Sequence, residues 1–294
     1  MSNKNSSSPV AEVKSAETYI YFDTDTFHNF AETFKNHPLT SDLRDVILFS
    51  PVTLLEAFAH LANSWGQSVH DQINGLHNWV NKDHTGVFPW MDDAINAIAF
   101  GVPSTDDTYR RRLKDDLDVL LNADLDQVVD VAKVRRDEIA KVKTSEAAEF
   151  QAVVDYFRST PFSEEVFIQV WCAGIRQRVD QQHNPKPNTD IVAALSAYHE
   201  FDLNKLKVAL AQPGYNILKH KNDLLDAEQM IYLGDPKLNF LALDHGYLSK
   251  VVKSPFRERI HHVERQELAT PLAAETVLRR ILTSANAPNA SSKS

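Results

Sequence analysis

The chain carries a single cysteine, Cys172, among its 294 residues. One thiol excludes a disulfide framework and a cysteine-rich zinc site. Positive charge is also short: 31 Lys+Arg stand against 40 Asp+Glu, a formal net charge of −9 at pH 7. Bulk attraction to a polyanion is thereby excluded, and any nucleic-acid contact needs a local basic patch. No apolar run approaches the roughly 20 residues that span a bilayer, so no membrane partner is expected. Met1 to Pro9 is rich in Ser, Asn and Lys and lacks the apolar stretch of a secretory signal, which makes the cytosol the expected compartment. There is no internal repeat and no long block of like charge. What is present, 43% hydrophobic, 9% aromatic and 24% charged residues, is the composition of a chain that folds around a core.

Two kinds of segment lie between polar tails at 1–17 and 284–294. Tyr19-Ile20-Tyr21-Phe22, Val46-Ile47-Leu48-Phe49 and Phe240-Leu241-Ala242-Leu243 are continuous apolar runs bounded by polar or turn residues. Such runs fit strands covered on both faces, as in a parallel sheet. Ile260-His261-His262-Val263 is a fourth candidate strand. Helical spacing over Thr26–Lys35, Thr53–Asn63 and Asp226–Leu233 completes the rhythm of an α/β sheet. The middle differs, reading as helix nearly throughout. Leu113 and Leu117 share one face, Val128, Ala132 and Ile139 mark another, and Ser163-Glu164-Glu165 opens a third helix. The expected organisation is an α/β domain in two parts, 18–64 and 204–283, around a helical insertion at 65–203.

Carboxylates stand at the ends of the strands. Asp23 follows the first run and Asp244 the third; Glu56 lies just beyond the second, and Asp226 opens the helix before the third. Side chains just past the carboxyl ends of parallel strands line the ligand crevice. A lone Asp there is an ordinary turn or cap residue. Four acids from separate elements repel one another unless cations neutralise them, and oxygen-only ligands suit Mg²⁺ or Mn²⁺. Asp25 adds a fifth candidate, while Asp223 and Glu228 are read as charges at a helix N-terminus.

These segments resemble a known family. Tyr19-Ile20-Tyr21-Phe22-Asp23-Thr24-Asp25-Thr26-Phe27 is similar to the opening strand of PIN-like domain nucleases, whose first metal-binding Asp is followed by Thr and usually Asn; Asp25 stands in the Asn position. Phe49-Ser50-Pro51-Val52-Thr53-Leu54-Leu55-Glu56 resembles the second motif, a Ser/Thr-containing strand end leading to a helical Glu. Asp226 and Asp244, with the residues around them, resemble the last two. The resemblance covers under half of the chain, and the stretch between Glu56 and Asp226 is far longer than in compact members. It implies a three-layer α/β/α fold with a central, mainly parallel sheet, interrupted by an all-helical insertion. It also implies a metal-dependent ribonuclease, with Mg²⁺ or Mn²⁺ held by Asp23, Glu56, Asp226 and Asp244, with or without Asp25. RNA is then the expected substrate, and a protein partner of antitoxin type could dock on the insertion if the chain is half of a toxin–antitoxin pair. Two other readings stay open: a non-catalytic scaffold of the same fold that binds RNA or protein, and a structure-specific DNA nuclease.

The remaining conspicuous residues are given plainer roles. Lys219 and Lys221, ahead of Asp226, are placed to touch substrate phosphate. Arg110-Arg111-Arg112 and Arg135-Arg136 are read as solvated helix faces paired with nearby acids. His70, His77 and His84 recur every seventh residue, a spacing too wide for a zinc site, and His261 and His262 point to opposite faces of a strand. Trp65, Trp79, Trp90 and Trp171 are assigned to the core.

Overall fold

The computed structural model describes residues 18–61, 78–79, 86–103, 108–122, 124–217 and 222–286. Strand β1 (Tyr19–Phe22) is central: all four side chains are buried, and it pairs in parallel with β4 (Leu238–Ala242), Tyr19 opposite Leu238 and Phe22 opposite Leu241. β4 pairs in parallel with β5 (Ile260–His262), Phe240 opposite Ile260. On the other side, β2 (Leu48–Phe49) pairs in parallel with β3 (Gly86–Val87). A parallel bridge between Ile20 and Ile47, with the Ile20 N–H donating to Val46 O at 2.9 Å, joins β2 to β1. The strands therefore run in the spatial order β3-β2-β1-β4-β5. Apolar residues on both faces of β1 and β4 are what a parallel sheet covered by helices requires.

Helix α1 (Thr24–Thr33) begins directly after β1, with Asp23 as its N-cap accepting the Thr26 N–H at 2.9 Å. Helix α2 (Pro51–Leu61) follows β2 in the same way; Pro51 sits at the first helical position and the Ser50 hydroxyl accepts the Thr53 N–H at 3.1 Å. After β3 come α3 (Met91–Ile95), α4 (Thr108–Asn122), the long α5 (Leu125–Ser159) capped by Asp124, and α6 (Glu164–Arg178) capped by Ser163 as expected. Then follow α7 (Asn188–Ala194), α8 (Ser196–Ala211) and α9 (Asn222–Gln229), the last running into a 3-10 turn at Met230–Gly234. Helices α10 (Gly246–Lys250) and α11 (Pro271–Asn286) complete the chain. The result is a mixed α/β fold, mostly helical, around a small parallel sheet.

Two expectations about the middle segment need correction. The 65–203 segment is not all helical, because Gly86–Val87 forms β3; two residues are too short for an apolar run to be visible in the sequence. Its C-terminal boundary at 203/204 falls inside α8. Nor does the segment have a core of its own. Trp79 is buried among Phe22, Phe27, Phe30 and Phe49 at ring-centroid distances of 5.2–6.2 Å, and α5 lies along α2. One continuous set of buried side chains runs from Tyr19 to Ile281. Trp171 is buried and Trp90 partly so, as assigned; Trp65, His70, His77 and His84 lie outside the described residues.

The basic clusters are less solvated than expected. Arg135 reaches from α5 to Asp116 on α4 with two hydrogen bonds of 2.5 and 3.0 Å, and both side chains are buried. Glu138 accepts from Arg135 and from Arg112, so the pair is part of a network that ties α4 to α5.

Candidate functional site

The sheet order places a topological switch at β1: the chain runs outward from β1 to β2 and β3, then crosses to β4 and β5 on the other side. The crevice outside the carboxyl ends of strands at such a switch is the favoured ligand position in open α/β sheets. Asp23 stands at the end of β1, and Asp244 two residues beyond β4.

Asp23 is 5% exposed. Burial pushes its carboxyl up to about 6; the hydrogen bonds from Thr26 pull it back, and the negative charges of Asp25 and Asp244 push it further up. Asp25 is exposed in the first turn of α1, and Asp244 is exposed, its carboxylate accepting the Gly246 N–H at 2.7 Å. Glu56, on α2, accepts from the Thr24 hydroxyl at 2.6 Å, which ties it to the residue next to Asp23. Asp226, half-buried on α9, accepts from the Tyr247 hydroxyl at 2.8 Å. Tyr247 registers the assembly. Its hydroxyl is held well above the usual tyrosine range, first by burial and then by the negative charges of Asp226, Asp23 and Glu56. Asp226, Asp23 and Glu56 thus act on Tyr247, and Asp244 acts on Asp23.

Each carboxylate is turned toward an internal partner. Among the described residues, no group of three or more Asp, Glu, His or Cys side chains is placed to hold a metal ion together. The donor chemistry suits a hard divalent cation, whereas the side-chain placement does not present three ligands at once. The partner of Glu56 explains part of this. Lys143, from the middle of α5, places its ammonium 2.8 Å from Glu56 Oε1, with both side chains 14% exposed. A cation from the middle segment thus neutralises an acid at the crevice.

Lys143 is the residue that sequence reasoning missed. No spacing rule links it to Glu56, because the contact depends on how α5 lies across α2. His28 and His60 form a second unforeseen pair, Nε2 to Nδ1 at 2.8 Å with stacked rings. Each lies one helical turn beyond Thr24 and Glu56, so the two contacts run side by side along α1 and α2. Behind the crevice, the Thr53 hydroxyl donates to Phe22 O at 2.6 Å and accepts from the Gln229 amide at 2.8 Å, and the Tyr21 hydroxyl donates to Gln229 O. These bonds lock β1, α2 and α9 together, and Thr53 belongs to the second motif noted in the sequence.

Two assignments change. Asp226 is not at a helix start but in the middle of α9. Glu228 is not an N-terminal charge: it lies at the C-terminal end of α9, 1% exposed, and accepts from Arg178 at 2.6 and 3.1 Å. The α9 pattern begins at a polar Asn222-Asp223 that carries no apolar marker, which is why the sequence places the start too late. Lys219 and Lys221, assigned to substrate phosphate, lie outside the described residues. Among the described residues, no helix is long and apolar enough to cross a membrane. No family model, no curated protein and no solved structure matches this chain.

Proposed function

We propose that the chain is a nuclease of the PIN-like kind, dependent on Mg²⁺ or Mn²⁺ and acting on RNA, with Asp23, Glu56, Asp226 and Asp244 as the metal-holding carboxylates and Asp25 at the rim. One observation carries the reading: at the switch point of a parallel sheet stands a buried Asp23, its carboxyl raised to about 6 by burial and by the charges of Asp25 and Asp244. A carboxylate ionised at a cost, as Asp23 is, is what a divalent cation relieves. The order of the four motifs and their resemblance to the family support the same conclusion.

When bound, the metal lowers the pKa of a water and offsets charge on the phosphate oxygens. The chain's residues supply the rest. Asp23, ionised above about pH 6, would be one of the groups that hold the ion, and Tyr247 keeps Asp226 oriented through its hydroxyl. Glu56 can serve as a ligand only once Lys143 releases it. Lys143 would then be a cation available to substrate phosphate, the role first given to Lys219 and Lys221.

The Lys143–Glu56 pair also favours a second reading. An acid cluster neutralised by the protein's own ammonium suits a non-catalytic scaffold of this fold. Labelled single-stranded RNA incubated with Mn²⁺, with and without EDTA and beside Asp23→Asn, separates the two. Cleavage that needs the metal and is lost in Asp23→Asn is the expected result. RNA left intact by the wild type at high enzyme and Mn²⁺ concentration would remove the nuclease reading, and cleavage of flapped DNA in its place would redirect it to a DNA substrate.

A further inference from the structure

A second acidic site lies away from the crevice. Glu228 is two residues after Asp226, about 200° around α9, so the two point off opposite faces of that helix. On the Glu228 side, α5, α6, α8 and α9 line a cavity of about 150 Å³ that opens to solvent. Its walls are of two kinds. Trp171, Phe167 and Phe150 present aromatic surface, while Glu146, Asp202 and Glu228 present carboxyl groups.

One cation at this site, Arg178, is already committed. It holds Glu228 through two hydrogen bonds and Asp92 through another at 2.5 Å, and it approaches Glu146 only to 3.8 Å. Asp202 is 8% exposed; one oxygen accepts the Trp171 indole N–H at 2.9 Å, and the other accepts no hydrogen bond among the described residues. The Lys205 ammonium lies over the Phe150 ring, 5.4 Å from its centroid, and its positive charge acts on Asp202. Glu146, whose side chain is 23% exposed, accepts no hydrogen bond among the described residues either. A buried carboxyl group, Asp202, and a partly exposed one, Glu146, thus face one aromatic-walled space. Both carboxyl groups have acceptor capacity to spare, and a ligand carrying N–H donors and positive charge can pair with both.

We propose that this cavity binds a small alkylammonium ion, its ammonium group donating to Glu146 and Asp202 and its hydrocarbon lying against Trp171, Phe167 and Phe150. Aromatic faces attract such a cation as well as its alkyl chain. A metal ion fits less well, since the Trp171, Phe167 and Phe150 walls offer it no ligands. An anion is repelled, and a neutral ligand leaves the carboxyl charge unoffset. The volume matches an engineered cavity of similar size that holds benzene, which sets the ligand at about six non-hydrogen atoms. The titration of the site agrees: burial raises Asp202 to about 7 and Glu146 to about 8, the charge of Glu228 adding to both. Arrival of a cation should therefore expel protons.

Isothermal titration of the full chain with n-butylammonium chloride at pH 7.5 tests this, with n-butanol and sodium chloride at matched concentration as controls. Saturable one-to-one binding is expected for the amine alone, with proton release seen as different heats in two buffers of unlike ionisation enthalpy. Asp202→Asn keeps an acceptor for Trp171 but loses the charge, and should weaken binding at least tenfold. Gly174→Leu provides an independent variant. Gly174 lines the cavity on helix α6, and a Cβ there meets nothing within 4 Å, so the larger side chain can be accommodated and should occlude the space. Absence of saturable heat with the amine overturns the proposal. So does equal binding of n-butanol, or retention of full affinity in the folded Gly174→Leu variant.

Discussion

Replacing Asp23 by Asn should stabilise the protein in metal-free buffer at neutral pH, although it is expected to abolish cleavage. The Asp23 carboxyl is 5% exposed and titrates at about 6, against 3.8 for an unhindered Asp. Because the folded-state value is raised, the native state binds more protons than the unfolded chain between those two values. The stability contribution of this group is therefore fully present below about pH 4 and is lost as pH rises through 6. The lost part is about 3 kcal/mol at 1.36 kcal/mol per pH unit. Asn carries no charge to desolvate and is itself a good N-cap, so the Thr26 N–H keeps its acceptor. With an unfolding entropy of about 0.6 kcal/mol/K for a chain of this length, the gain amounts to a rise of about 5 °C in Tm at pH 7.5. It should shrink toward zero near pH 4. Differential scanning calorimetry in EDTA at pH 4, 6 and 7.5 reads this directly. A saturating divalent ion should reverse the order, adding about 2.7 kcal/mol to the wild type at a hundred times Kd and much less to the variant. An Asn variant less stable than wild type at pH 7.5 in EDTA, or a gain of the same size at pH 4, would refute the claim that Asp23 is held ionised at a penalty.

Three further outcomes follow from the same geometry. Lys143→Met removes the counter-ion of Glu56 and should destabilise the metal-free protein by about 1–3 kcal/mol, while tightening Mn²⁺ binding because no ammonium has to leave; weaker Mn²⁺ binding by titration would show that Lys143 does not compete for the site. Arg178→Met strands a Glu228 that is 1% exposed, and urea unfolding should register a loss of about 3–5 kcal/mol, the range for breaking a buried pair. Burial depresses His199 from 6.5 to about 4, so the neutral ring is favoured in the fold and its contribution is lost as pH falls from 6.5. Between pH 6.5 and 5 this amounts to roughly 2 kcal/mol, and His199→Phe should flatten that acid limb in urea titrations; an unchanged limb would assign it to other groups.

Part of this protein is legible in its amino-acid order alone. Tyr19–Phe22 and most of the run Phe240–Leu243 lie in β1 and β4 because a strand flanked by strands and covered on both faces needs apolar residues in succession. Ser163 caps α6 because a hydroxyl before a helix finds the free N–H groups of its first turn whatever lies around it. Asp23 stands out for the same kind of reason: a strand end followed at once by an acid and a helix start is a local pattern. Where such patterns are weak, the sequence misleads. β3 has only Gly86 and Val87, and α9 opens on polar residues, so periodicity puts Asp226 at a helix start that it does not occupy. What no local pattern carries is the choice of partner across the chain. Lys143 meets Glu56, and Arg178 meets Glu228 and Asp92, because α5, α6 and α9 cross neighbouring elements at particular heights. Composition and periodicity determine which face of a helix turns inward. Which charge it meets there depends on packing between elements far apart in sequence, and that is decided only when the whole core closes.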